Sequence, residues 1–490
     1  MPCGRSRTTT TSRSDRATRR RTPTPYRPAV GAAAVMAKQP TVLHLFSGSG
    51  GGGLGFRRAG FRGVGAVDYS AAACRDFEML VGERATHADL LDLEPGDLAR
   101  ICPESPDVVF TSPPCKGFSG CLPERRSRDD HYLRLNSLAF RGVFLALEAW
   151  KRPPKLLLLE NVPRIQTRGK SWLSQVKAML HAYGYAVHES VHDCGVLGGL
   201  AQRRRRFLLV ARHIEQVPSI LRVPADQRVK TIGEVLERLR VPRPGSKQGG
   251  PMHGLPRLSA LNWIRLATIP AGKDWRSIPA AVKLPPRPGR PNGPFGVEDW
   301  EASSHAVLGH TSARDTWGSV ADPRVVCKRR DGGHGVRPWD GQSAAVIGHA
   351  TIDNFPAQVA DPRAVETTHR IVTHDDAPGL LGPHVDLSKR TPMHLIIASA
   401  DGSWHRPMTT LELAALQDFP TEVDGKPLVL DGGNSKGWRE RVGNAVPPGT
   451  ARAIALSCAA TLAAADAGRG ELSTNPIWVR EQARRMEAAS

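Results

Sequence analysis

Cys115 follows residues 107–111, Asp-Val-Val-Phe-Thr, a β-branched and aromatic run that reads as a buried strand and is stopped by Pro113 and Pro114. Two prolines make a stiff loop just past the carboxyl end of that strand, where open α/β sheets bind their ligands. A thiolate is the strongest common side-chain nucleophile, and Lys116 beside it would favour the ionised form. On this stretch alone the alternative is a structural cysteine beside a proline turn. Glu160 follows a fully apolar strand at 156–159, Leu-Leu-Leu-Leu. A carboxyl held there and partly desolvated keeps its proton toward neutral pH and can donate it; a helix-capping acid is the plainer reading. Arg204 and Arg206 enter the next strand, 207–211, and two-residue alternation puts them on one face, available to an anionic intermediate or phosphate, or left to solvent. A nucleophile, a proton donor and two cations thus stand at or near strand ends.

The elements that must position them are strands alternating with helices. The first strand, 41–46, runs into Ser47-Gly48-Ser49-Gly50-Gly51-Gly52-Gly53-Leu54-Gly55 and a short helix that ends near Ala59-Gly60. A strand, a glycine turn and a helix start let backbone N–H groups approach a ligand closely. Asp68 ends the next strand, about 20 residues on, where an acid can accept two ribose hydroxyl protons, so the pair suggests a nucleoside cofactor. Asp89 ends a further βα step and could face an adenine edge or cap a helix. Helices are expected at 138–150 and 171–183. The charged stretch 124–130 is long enough to close over a substrate.

A formal charge of +20 over 490 residues and a pI near 10.1 point to a polyanionic partner, and no long apolar run suggests a membrane span. The eight cysteines are scattered, without a CxxC pair or a disulfide spacing, which suits a reducing, intracellular setting. Residues 1–38 read as a disordered, arginine-rich tail, either an electrostatic arm on nucleic acid or a dispensable extension. Between 212 and 405 the chain turns rich in Pro, Gly, His and Arg, with one helix expected at 258–266. An imperfect repeat follows, from Val307 and again from Val346, which suggests two related short β units. Nine histidines between His305 and His405 show no metal-ligand spacing with a cysteine, so no metal is expected. Arg324, Arg329, Arg330, Arg337 and Arg363 are candidate groove or phosphate contacts. Thr409-Thr410-Leu411-Glu412 is a capping box opening a helix at 411–419, and a last helix is expected at 449–465, beside the first strand.

Taken in order, these stretches resemble the DNA (cytosine-5) methyltransferase family of prokaryotic or phage type. The family's cofactor loop is similar to LFSGSGGGGLGF here, its nucleophile loop to SPPCKGFSG, its proton-donor motif to Glu160-Asn161-Val162, and its arginine motif to Gln202, Arg204 and Arg206. Two later motifs resemble RPMTTLELAALQDFP at 406–420 and RVGNAVPP at 441–448. Two residues depart from the family pattern: Leu411 stands where an arginine is usual, and Lys116 where a glutamine is.

The resemblance implies an α/β fold, a Rossmann-like S-adenosylmethionine-dependent methyltransferase domain with an inserted, mostly β or irregular target-recognition domain. The division expected is a tail at 1–38, the first catalytic part at 39–215, the recognition domain at 216–405, the returning catalytic part at 406–467 and a frayed tail at 468–490. It implies that Cys115 adds to carbon 6 of a cytosine flipped out of double-stranded DNA, Glu160 protonates ring nitrogen 3, and Arg204, with Arg206, orients the base and stabilises charge. S-adenosyl-L-methionine would lie on Phe46, Ser47, Gly48, Gly50, Gly51, Asp68 and Asp89, with the Gly443-Asn444 turn and Lys116 near the transferred group. Lys116 leaves a carboxylated S-adenosylmethionine open as donor, and an RNA substrate is the other alternative. A monomer on DNA, a cognate restriction endonuclease encoded nearby and a cytoplasmic, nucleoid-associated setting complete the expectation.

Overall fold

The computed structural model describes residues 38–115, 117–118, 129–242, 246, 248–256, 258, 260–278, 296–307, 319–324, 336–337, 358–359, 371–373, 396–399, 404–469 and 476–480. Lys116, the basic tail to residue 37, residues 124–128 and Arg329, Arg330 and Arg363 lie outside them.

Seven strands form the central sheet: β1 (Thr41–Leu45), β2 (Arg62–Asp68), β3 (Thr86–His87), β4 (Val108–Thr111), β5 (Leu156–Asn161), β6 (Tyr185–Asp193) and β7 (Arg205–His213). Their order is β3-β2-β1-β4-β5-β7-β6, and β7 alone runs against its neighbours. The order reverses between β1 and β4, so the loops leaving those two strands open a crevice at the carboxyl edge, where such sheets take ligands. Leu156, Leu157, Leu158 and Leu159 are wholly buried, as a central strand covered on both faces requires. Each stabilises by about 1.5–3 kcal/mol relative to exposure. The helices are α1 (Gly51–Arg58), α2 (Ala71–Val81), α3 (Pro95–Ile101), α4 (Asp130–Glu148), α5 (Ile165–Arg168), α6 (Lys170–Ala182) and α7 (Cys194–Gly198). The strand β6 and the helix α7 are absent from the sequence expectation. The stretch 185–193 carries His188, Glu189, Ser190, His192 and Asp193 among few apolar residues, and it is a strand because it pairs along its whole length with β7.

Beyond the sheet come β8 (Leu221–Arg222), α8 (Ile232–Leu236), α9 (Ala260–Thr268), β9 (Val297–Glu298) and β10 (Ser319–Asp322). Next are β11 (Val336–Arg337), β12 (Gln358–Val359), β13 (Ile371–Thr373), β14 (Ile396–Ala398) and β15 (Trp404–Pro407). A five-stranded sheet, β13-β14-β15-β10-β9, occupies this insertion. The expected repeat has a backbone counterpart. β9 pairs parallel with β10, β11 pairs parallel with β12, and both pairs have the same spacing, 297 to 319 and 336 to 358.

The chain then returns as α10 (Thr410–Leu416), the hairpin β16 (Glu422–Val423) and β17 (Lys426–Pro427), α11 (Ser435–Asn444) and α12 (Pro448–Asp466). The capping box is present, with Thr409 Oγ1 accepting from Glu412 N and Glu412 accepting from Thr409 N. Helix α12 lies on α1 and α7 rather than beside β1: a Cβ on Gly55 would meet Ala451 Cβ at 2.5 Å, and one on Gly198 would meet Thr450 N at 2.5 Å. Glycine permits that approach because it has no side chain to displace. The C-terminal segment also departs from expectation. Ile477–Val479 forms β18, antiparallel to β8, with Trp478 and Val479 buried, because an apolar triplet finds an open strand edge there. No helix among the described residues is long and apolar enough to cross a membrane.

Candidate active site

The loops after β1 and β4 are tied to each other. Ser112 N donates to Leu45 O at 3.2 Å and Ser112 Oγ to Phe46 O at 3.1 Å, so the cysteine loop is hung from the glycine loop. Phe46 has φ 57°, an uncommon value for a residue with a side chain. Asn161 Nδ2 donates to Pro113 O at 3.2 Å, and Phe118 N closes a turn onto Cys115 O at 3.1 Å. Gly117 packs closely there, since a Cβ would fall 2.0 Å from Asn136 Oδ1 of α4 and that amide would have to move. Cys115 is thereby fixed at the crevice.

Glu160 is the fifth residue of β5, inside the strand rather than past it as anticipated, paired with Leu208. In the β6–β7 register Leu208 faces Ser190 and Arg206 faces His192, so Glu160, Arg206 and His192 share one face of the sheet. Arg206 Nε lies 3.1 Å from Glu160 Oε1. Burial raises the Glu160 carboxyl above its usual range, and the opposing charges of Arg206 and Arg204 do not cancel it. Burial likewise raises the Cys115 thiol against the pull of Arg206 and Arg204, with Glu160 adding to the rise. The cations acting on Cys115 among the described residues are these two arginines; Lys116 lies outside them. His192 escaped the sequence reading because nothing distinguishes a histidine in a mixed strand. Burial, then Arg206, push its imidazole down to about 4, so it is a neutral wall beside the guanidinium.

Arg204 is placed differently from the expectation that it would meet a base. It is fully buried. Its Nη1 donates to Val307 O at 2.8 Å, and its Nη2 to Gly443 O at 2.9 Å and Ala445 O at 3.2 Å. Burial lowers it to about 10. Gln202, also buried, accepts from Val307 N and donates to Leu416 O, both at 3.2 Å. Of the arginine motif, only Arg206 reaches the acid.

At the glycine loop Asp68 is nearly buried, its Oδ2 accepting from Gly48 N at 2.8 Å and its Oδ1 from Ser70 N at 2.9 Å. A Cβ on Gly48 would meet nothing within 4 Å. Gly50 and Gly51 face protein instead. A Cβ on Gly50 would lie 2.9 Å from Val81, and one on Gly51 would lie 2.2 Å from Val446 O, so close packing suffices to require these glycines. Ser47 Oγ and Ser49 Oγ are buried without a hydrogen-bond partner. Tyr69, unremarked in the sequence, is 67% exposed directly after Asp68. Asp89 Oδ1 accepts from Leu91 N at 3.0 Å in an Asx turn, while the N-cap of α3 is Glu94. Asn444 is exposed, at the last position of α11 rather than in a turn.

Arg324 is not available to a groove: its guanidinium bonds Asp322 and the carbonyls of Leu236 and Leu239 at the end of α8. Although Leu411 stands where an arginine is usual, an internal ion pair is present at the start of α10. Wholly buried Arg406 donates to both oxygens of Glu412, at 2.9 and 2.7 Å, and to Asp322 Oδ2 at 3.0 Å. Leu411 packs in the apolar core beside it.

The profile of C-5 cytosine-specific DNA methylases matches residues 41–247. Type II methyltransferase M.HgiDI of Herpetosiphon aurantiacus is 31% identical over 172 residues, 35% of this chain and 52% of that protein. Type II methyltransferase M.HgiGI of the same organism is 32% identical over 123 residues, 25% of this chain and 90% of that protein. The chain spans about half the length of the first of these, and of others such as M.NgoFVII of Neisseria gonorrhoeae, where it covers 45%. Among solved structures, one assigned as a DNA modification methyltransferase encoded within an E. coli prophage superposes with a TM-score of 0.52 at 16% identity, covering 86% of this chain and 99% of that one. The Entamoeba histolytica methyltransferase EhMeth gives 0.50 at 13% identity, covering 88% and 99%. At such identities the likeness is one of fold.

Proposed function

We propose, for a chain that belongs to the family of C-5 cytosine-specific DNA methylases, that it methylates carbon 5 of cytosine in double-stranded DNA through a covalent Cys115 adduct on a flipped-out base. The observation that carries the reading is the Cys115–Glu160–Arg206 group at the crevice between β1 and β4, beside the glycine loop.

Carbon 5 of cytosine is a weak nucleophile. Addition of the Cys115 sulfur to carbon 6 turns the ring into an enamine, and the Glu160 carboxyl, whose hold on a proton burial strengthens, assists by protonating nitrogen 3. Arg206 holds Glu160 in place and offers a charge to the ring as electrons move onto it. The thiol must first lose its proton, and Arg206 and Arg204 favour that loss. Once carbon 5 carries the methyl group, loss of its proton to water restores the ring's double bond and breaks the carbon 6–sulfur bond, freeing Cys115, while nitrogen 3 returns its proton to Glu160. Access to the ring face requires the base to leave the stack.

The residues present fit S-adenosyl-L-methionine. The unpartnered hydroxyls of Ser47 and Ser49, the open side of Gly48 and the Asp68 carboxylate offer hydrogen bonds to its polar groups, and Tyr69 offers a ring for its purine. Asp89 keeps Oδ2 for an adenine edge, and Asn444 lies next to the Ala445–Val446 backbone that borders the loop. Bound there, it supplies an electrophilic methyl group. The carboxylated derivative rested on Lys116 alone, outside the described residues, and no observation favours it. Work on DNA as a monomer, in the cytoplasm at the nucleoid, and beside a cognate endonuclease as the Type II names of its relatives suggest, belongs to the same proposal.

The test offers labelled S-adenosylmethionine with duplex DNA or transfer RNA and identifies the modified nucleoside by mass. 5-Methylcytosine in DNA, lost in Cys115→Ser with duplex binding retained, is expected. Label in the RNA alone, or near-normal turnover by Cys115→Ser, overturns the reading.

A further inference from the structure

Residues 299–307 form a strap that leaves the inserted sheet and lies across the catalytic domain. Ser304 N donates to Ala201 O at 2.9 Å and Arg203 N to Ser304 O at 2.8 Å, a parallel bridge at Gln202. One residue of the strap is gripped at both ends: Val307 N is accepted by Gln202 and Val307 O receives Arg204. The other amino group of Arg204 holds Gly443 O and Ala445 O, the end of α11. The next carbonyl, Val446 O, is the atom against which Gly51 of the cofactor loop is packed. A single guanidinium thus joins three segments far apart in sequence, and within reach of its charge lie Cys115 and Glu160.

We propose that Arg204 is a positioning residue that couples the inserted domain to the cofactor loop, so that duplex DNA and S-adenosylmethionine each tighten the other's binding through it. Displacement of the strap when the insertion engages DNA moves Val307 O, and a planar guanidinium with both amino groups held transmits that shift to Gly443–Val446 and thence to Gly51. Lysine has one compact, rotatable head in place of a rigid planar fork and does not fix Val307 and the two α11 carbonyls in one relation. The same two ligands bias one packed arrangement, and linkage makes the effect reciprocal. This rests on the function proposed above.

The experiment measures duplex affinity with and without S-adenosylhomocysteine, and cofactor affinity with and without duplex, in the full chain and in Arg204→Lys and Arg204→Met. Tyr185→Phe serves as the control for stability, since it removes a buried hydrogen bond to Pro154 O at the opposite end of the sheet. The unaltered chain should show reciprocal coupling of about fivefold or more, the range of ordinary two-site linkage. Both Arg204 variants should fall below about twofold coupling, with KM for the cofactor raised more than kcat is lowered, while Tyr185→Phe keeps full coupling at a similarly lowered Tm. Absence of coupling in the unaltered chain, its survival in Arg204→Lys, or its equal loss in Tyr185→Phe overturns the proposal. Methyl transfer by the unaltered chain is scored in the same samples, so failure of the coupling idea is separable from failure of the activity.

Discussion

Glu160 and Glu412 are both buried glutamates that face an arginine, yet their surroundings move them in opposite directions. Glu412 accepts two bonds from Arg406 and one from Thr409 N, and these outweigh burial to hold it below the usual carboxylate range. Its neighbour Asp322 is treated alike: burial is outweighed by Arg324 and Arg406. Glu160 has one close approach, from Arg206 Nε, and burial prevails. The number of well-directed donors therefore decides whether a buried acid is a fixed anion that joins two parts of the chain or a group poised to exchange a proton. Architecture follows from the first kind and chemistry from the second.

The contrast can be broken from either side. Glu160→Gln should reduce turnover by about 10²–10⁴-fold, the scale of a lost general acid, with duplex affinity retained; steady-state kinetics with a filter-binding control checks it, and a loss under tenfold would assign Glu160 to structure. Arg406→Met leaves Glu412 and Asp322 without their shared cation and should cost about 3–5 kcal/mol, read as a fall in the denaturant midpoint.

A subtler test uses pH. The Glu412 carboxyl is depressed in the folded chain, so its stabilisation is present above the ordinary carboxylate pKa and is lost as pH falls through its folded value. The Glu160 carboxyl is raised, so its contribution is greatest below the ordinary pKa and is lost as pH rises through the folded value. Glu412→Gln should therefore lower Tm most at neutral pH, whereas Glu160→Gln should raise it there and leave it unchanged in acid. Parallel Tm profiles for the two variants would show that the pairs are alike. The smallest effect expected is that of Asp68→Ala, which removes a carboxylate already receiving Gly48 N and Ser70 N: cofactor affinity should fall about tenfold, the loss of roughly 1.4 kcal/mol in a charge-assisted hydrogen bond. Isothermal titration measures it.

Strand ends and glycine turns were legible because they depend on neighbours in sequence: β1 with its loop, the stop at Pro113, the capping box at Thr409 and the acid at the end of Leu156–Leu159. Roles set by distant partners were not. Arg204 and Arg206 look equivalent as alternate residues, but one is enclosed by carbonyls of Val307, Gly443 and Ala445, and the other reaches Glu160. Arg324 reads as a surface cation until Asp322 and the end of α8 surround it. The same holds for β18, whose three residues have no strand signal except the edge of β8 that receives them.

The contact between Gly55 and Ala451 bears on how the chain is made. Helix α1 leaves the ribosome well before α12, the surface that covers its glycine face. Until the segment from α11 to α12 arrives, the glycine loop has no support at Val446 and Arg204 has no Gly443 carbonyl to hold. Synthesis must therefore pass α12 before the glycine loop and α1 are enclosed, and closing so long a loop makes assembly slow. A chain that stops short of these segments would carry Cys115 and Glu160 without the enclosure that the end of α11 and α12 complete.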